Sequence, residues 1–175
     1  MKNGVVFLGR IGRRLVSISI VGLLAACGAG EEKIVKQAEE VLEEKMNQEP
    51  QDATREHGDM MLYLPNNADI QKSAEEEYRV THEGQIYALS LNSKQTEAEE
   101  NMNIQETQPL IAEVREGEKS YLIIAPFEKD TYEVKVGYEG TTMTTVLPRE
   151  DINDQSRLMF DIVQSVEEHN FITTH

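Results

Sequence analysis

Few residues in this chain are equipped to do chemistry. Cys27 is the single cysteine, and a thiolate is the strongest nucleophile among the side chains present. Standing alone, it can form no intramolecular disulfide and no cysteine-based zinc site. The histidines are His57, His82, His169 and His175. No two stand three or four residues apart, the spacing that two ligands on one helical turn require, so each is read as a solvated surface residue. The sequence holds no Gly-x-Ser-x-Gly elbow, Ser-x-x-Lys, His-Glu-x-x-His or phosphate-binding glycine loop. Its 32 carboxylates could supply acid–base pairs in any number, so their presence singles out no site. Two acidic groups, Glu75-Glu76-Glu77 and Glu150-Asp151 with Asp154, invite a cation reading. Neither has the twelve-residue loop pattern of the calcium-binding hand. A solvated charged face is the plainer reading, and acids near a helix N-terminus oppose the macrodipole favourably. The expected catalytic set, metal set and cofactor are therefore none.

The setting of Cys27 gives it meaning. Lys2, Arg10, Arg13 and Arg14 form a basic stretch, residues 15–26 are an apolar run interrupted by Ser17 and Ser19, and Leu24-Ala25-Ala26-Cys27 closes it before Gly28-Ala29-Gly30. A basic segment, a short apolar run and small residues before a cleavage point are the parts of an export signal. Such a run is too short for a span, which needs roughly 20 apolar residues to cross the hydrocarbon core. The alternative is a short uncleaved anchor with a chance cysteine. Leu24-Ala25-Ala26-Cys27 resembles the lipobox of bacterial lipoproteins. That resemblance implies diacylglyceryl attachment at Cys27, cleavage between Ala26 and Cys27, and residence on the extracytoplasmic face of a cell membrane. Gly28 gives no acidic sorting signal for the inner membrane, so an outer membrane serves equally if the host is diderm. Arg13-Arg14-Leu15-Val16 also resembles a twin-arginine export signal.

Cleavage there would remove all four of those basic residues and no acid. Residues 27–175 then carry 13 Lys and Arg against 32 Asp and Glu, a formal charge of −19. So acidic a chain would add to phosphate charge rather than displace counterions, which argues against nucleic acid as partner. Anionic headgroups and wall polymers should repel it as well. Attachment is expected to come from the acyl chains, with the domain standing off the bilayer.

The remaining text reads as one domain behind a tether. Residues 1–26 are the signal; 27–58 hold the modified cysteine, a Gly28-Ala29-Gly30 tether, an acidic helix over 31–48 and a linker over 49–58. Residues 59–170 form the domain proper. In the helix, Ile34, Ala38, Val41, Leu42 and Lys45/Met46 recur at three- and four-residue steps, so it either packs on the domain or serves as a charged stalk. Met60-Met61-Leu62-Tyr63-Leu64 reads as a short strand before the turn cluster Pro65-Asn66-Asn67. Residues 77–81 and 85–92 flank His82-Glu83-Gly84 as a hairpin, and 93–108 is a polar insertion with no clear period. Residues 110–115, 120–127, 131–138 and 141–147 alternate with turns as a meander. A helix capped by Asp151 or Asn153 runs to about His169, its Leu158, Ile162 and Val166 spaced to cover the sheet.

These readings specify an α+β fold: an antiparallel meander sheet, a C-terminal amphipathic helix on one face, and an N-terminal helix after the lipid anchor. The opening Leu62-Tyr63-Leu64-Pro65 and the closing Leu158-Met159-Phe160-Asp161-Ile162-Val163-Gln164-Ser165-Val166 resemble the PsbP-like fold, whose members include bacterial lipoproteins. Departing from that family, no aromatic residue follows Pro65 and the chain has no Trp. The resemblance implies no site residues and favours binding or assembly over catalysis. The expected function is accordingly a non-enzymatic binding or accessory role in the cell envelope, with an envelope protein as partner. The alternatives are capture of a cation or cationic solute on the acidic face, and an envelope hydrolase whose site is assembled across loops and includes a pocket carboxylate or His82.

Overall fold

The computed structural model describes residues 21–91, 110–115 and 120–168, with side chains over 30–91, 110 and 120–167. Two compact units divide the chain, Met1–Lys33 and Ile34–His175. The first contributes the opening of α1 (Val21–Met46). The Gly28-Ala29-Gly30 segment, expected as a tether, is helical. A glycine costs a helix only about 1 kcal/mol relative to alanine, and the strong helix formers that follow, from Glu31 onward, propagate the turn.

The second unit holds the remaining elements. The periodicity that placed Ile34, Ala38, Val41 and Leu42 on one stripe is realised: all four are buried in the core. The helix therefore packs on the domain, and the stalk alternative falls. The expected linker over 49–58 is corrected in part. Arg55–His57 forms β1, pairing antiparallel with β2 (Met60–Leu62). The compact unit thus begins well before residue 59.

The large sheet has seven antiparallel strands: β3 (Asp69–Ala74), β4 (Glu77–His82), β5 (Gln85–Ser90), β6 (Ile111–Arg115), β7 (Ser120–Pro126), β8 (Thr131–Tyr138) and β9 (Thr141–Pro148). Their spatial order is β3-β4-β5-β9-β8-β7-β6, so β9 joins an N-terminal meander to a C-terminal one. Local chemistry sets the turns. Glu83 and Gly84 both take positive φ (50° and 84°), as do Glu139 and Gly140 (47° and 91°). Two consecutive left-handed residues are the two-residue hairpin turn whose twist matches that of the strands. The registers follow, His82 opposite Gln85 and Tyr138 opposite Thr141. The insertion expected over 93–108 lies outside the described residues.

One face of this sheet is the core face. Tyr87, Leu89, Leu122, Ile124, Val134, Val136 and Met143 all lie there with no exposed surface. After a short 3-10 turn (Arg149–Asp151), α2 (Ile152–Gln164) buries Ile152, Met159, Phe160, Ile162 and Val163 against the same core. Two details differ from expectation. Asp151 occupies the N-cap position without a side-chain capping bond. The helix also ends at Gln164 rather than near His169, because Ser165 intervenes: its hydroxyl donates to the Ile162 carbonyl and accepts from the Tyr63 amide. Glu167–Glu168 then form β10 beside β2, completing a three-stranded sheet. Met60 and Leu62 of β2 belong to that small sheet and share the common core.

Candidate functional site

Leu24, Ala25, Ala26 and Cys27 lie in the first part of α1, within the unit Met1–Lys33. Gly28 and Gly30, the poorest helix formers after proline, sit just past the Ala26–Cys27 bond and ease its local unwinding. Among the described residues, no helix is long and apolar enough to cross a membrane.

The two acidic groups stay apart from other ligands. Glu75, Glu76 and Glu77 are exposed where β3 passes into β4, with Glu76 at positive φ (59°). Glu150, Asp151 and Asp154 are exposed at the start of α2. Among the described residues, no group of three or more His, Cys, Asp or Glu side chains converges as a metal site would require.

Two histidines are less solvated than the sequence suggests. His57 is half-buried, edge-on to Tyr78 with ring centroids 5.6 Å apart. The His82 side chain is 14% exposed, its Nε2 lies 4.0 Å from a Glu83 carboxylate oxygen, and its buried Nδ1 has no hydrogen-bond partner among the described residues. His169 and His175 lie outside the described residues. The tyrosines behave as sheet-packing residues: Tyr78, Tyr87, Tyr121 and Tyr132 are all buried. Tyr63 falls just after β2 rather than within it. The Tyr87 hydroxyl donates to Gln155 of α2. Burial, helped by the charges of Glu83 and Asp151, pushes its pKa up to about 12. Tyr87 is thus a structural donor, far from the range in which a phenolate serves as base.

The polar contacts that the sequence did not reveal join the last turn of α1 to α2. Lys45 Nζ donates to Asp161 Oδ1 at 2.9 Å and to Gln48 at 3.1 Å, and Gln164 donates to the Lys45 carbonyl. Arg157 holds Glu44 through Nε and a second nitrogen at 2.9 and 2.8 Å. One signal was on the page: Lys45 falls on the apolar stripe, and a lysine placed there needs a partner. Its partner lies 116 residues away, beyond the reach of any periodicity.

The Arg157 hydrogen bond, with its positive charge, holds the Glu44 carboxyl below the usual carboxylate range. A lowered folded pKa contributes stability above the unfolded pKa and loses it as pH falls through the folded one. Glu44→Gln is expected to flatten the acid side of the stability–pH curve. At neutral pH it should cost less than about 1 kcal/mol, as the pair is partly exposed. Urea midpoints across pH 3–7 would check this, and an unchanged acid slope would count against it.

In comparisons with known proteins, no protein-family model, curated protein or solved structure matches this chain.

Proposed function

We propose that this chain is a lipid-anchored extracytoplasmic protein with a non-enzymatic binding or accessory role in the cell envelope. One observation carries the reading: Leu24-Ala25-Ala26-Cys27 closes a twelve-residue run, apolar but for Ser17 and Ser19, behind a basic stretch, and its cysteine is the only one in the sequence. The thiol receives a diacylglyceryl group, cleavage follows Ala26, and Cys27 becomes the first residue. Two acyl chains suffice for stable attachment. The binding role rests on the −19 charge of residues 27–175, which suits neither nucleic acid nor anionic lipid, and on the PsbP-like resemblance of the opening and closing motifs.

The test is metabolic labelling with a fatty acid in a bacterial host. The wild type should incorporate label and run as the shortened form. Cys27→Ser should lose the label and accumulate as precursor retaining residues 1–26; normal labelling of that variant would overturn the anchor. The same membranes, solubilised, test the binding role. A stoichiometric envelope protein that co-purifies with wild type through a high-salt wash supports it, and recovery of the chain alone counts against it.

A further inference from the structure

We infer that Ile34, where the chain enters the folded domain, is held within about 25 Å of the bilayer, and that the domain's own charge sets its stand-off within that limit. This rests on the Cys27 anchor proposed above. The compact unit begins at Ile34, and Ile34 and Ala38 are already buried in its core. The chain is therefore committed to the domain from Ile34 onward. Only residues 28–33 separate the acylated residue from that point. The seven residue steps from Cys27 to Ile34 span at most about 25 Å when fully extended. As helix, the form they take in α1, they rise about 10 Å. The ceiling follows from chain length and holds for any conformation of the tether.

Charge decides between those limits. At physiological salt the Debye length is about 8 Å, so the helical tether spans roughly one screening length and the extended tether roughly three. Over the first distance an anionic surface repels the near side of a chain whose residues 27–175 carry a formal charge of −19; over the second most of that repulsion is screened. Glu31, Glu32 and Lys33, all exposed on the tether itself, lie nearest the headgroups and leave it one net negative charge. Gly28 and Gly30 lower the free energy needed to unwind the segment. An anionic leaflet therefore stretches the tether and holds the domain off the lipid, whereas a zwitterionic leaflet leaves it close.

The experiment uses the full lipidated protein carrying Lys36→Cys, purified from host membranes. Lys36 is an exposed residue of the compact unit, and its pairing with Glu40 at 3.7 Å is a surface contact of little weight. With Cys27 acylated, the introduced thiol alone takes a fluorescent donor, and vesicles carry a headgroup-labelled acceptor lipid. Strong energy transfer is expected on zwitterionic vesicles. On vesicles rich in anionic lipid it should fall about twofold at low salt and recover at high salt. A companion with about thirty Gly/Ser residues inserted between Gly30 and Glu31, adding roughly 30 Å of root-mean-square reach, should show weak transfer on zwitterionic vesicles. Transfer that ignores lipid charge at low salt overturns the stand-off. Transfer equal in the native and lengthened tethers overturns the radius. Intact-mass measurement separates failure of the premise: a preparation without diacylglyceryl mass at Cys27 removes the anchor, and the inference with it, before any vesicle is made.

Discussion

Asp161→Ala is expected to destabilise the fold by about 3 kcal/mol, the lower end of the range for stripping one member from a buried ion pair. The reason is the charge it leaves behind. Lys45 is 5% exposed, its ammonium donates to Asp161 at 2.9 Å, and without that carboxylate Gln48 is its only remaining acceptor among the described residues. An amide oxygen satisfies a hydrogen bond but does not neutralise a charge taken from water. Asp161 is 22% exposed in its side chain, which keeps the cost from the upper end of the range. The pair itself need not be favourable overall. Lys45→Met with Asp161→Leu removes both charges and keeps the apolar stripe of α1 continuous, and should recover most of the loss. Urea denaturation reads both variants, with the midpoint moving and the slope unchanged. If the double variant were as unstable as Asp161→Ala, packing rather than an orphaned charge would be responsible.

Lys45 also marks where sequence reasoning stops. Elements defined by local chemistry were legible. The Glu83-Gly84 and Glu139-Gly140 turns announced their hairpins, and in β5 the alternating Tyr87 and Leu89 share the buried side, with Leu91 just past the strand buried as well. Strand β3 was not legible. Asp69-Ile70-Gln71-Lys72-Ser73-Ala74 has no apolar alternation because it is an edge strand whose side chains, apart from half-buried Ile70, are exposed. Its pairing also shifts register between Lys72 and Ala74, a common way to blunt an open edge. The end of α2 was overshot because Val166 continues the helical spacing. What stops the helix is Ser165, whose hydroxyl bridges to Tyr63, 102 residues away. The lipobox-like motif is contiguous and so lies within the reach of sequence reasoning, whereas each contact that fixes α1 against α2 joins residues more than a hundred positions apart.

Gly137→Ala should cost about 2–3 kcal/mol, although it adds a single methyl group to a strand position where alanine is ordinarily no worse than glycine. Gly137 lies opposite Tyr121 in the β7–β8 register, and the tyrosine ring rests across it. A Cβ built on Gly137 would stand 2.1 and 2.2 Å from two ring carbons, far inside van der Waals contact. The ring has little freedom to yield. Its hydroxyl lies 2.9 Å from Thr142 Oγ1, Lys135 Nζ sits 5.5 Å from its centroid, and the residue is 7% exposed. The face opposite the core thus has a packed aromatic of its own, seated where a strand residue lacks a side chain. The cause can be isolated by a double-mutant cycle with Tyr121→Ala. Once the ring is gone, Gly137→Ala meets no obstacle and relieves the strand of glycine's extra backbone entropy, so its effect there should be near zero or slightly stabilising. A coupling of about 2–3 kcal/mol between the two sites is the expected signature. Equal losses in both backgrounds would mean that Gly137 matters for its backbone conformation and not for the ring above it.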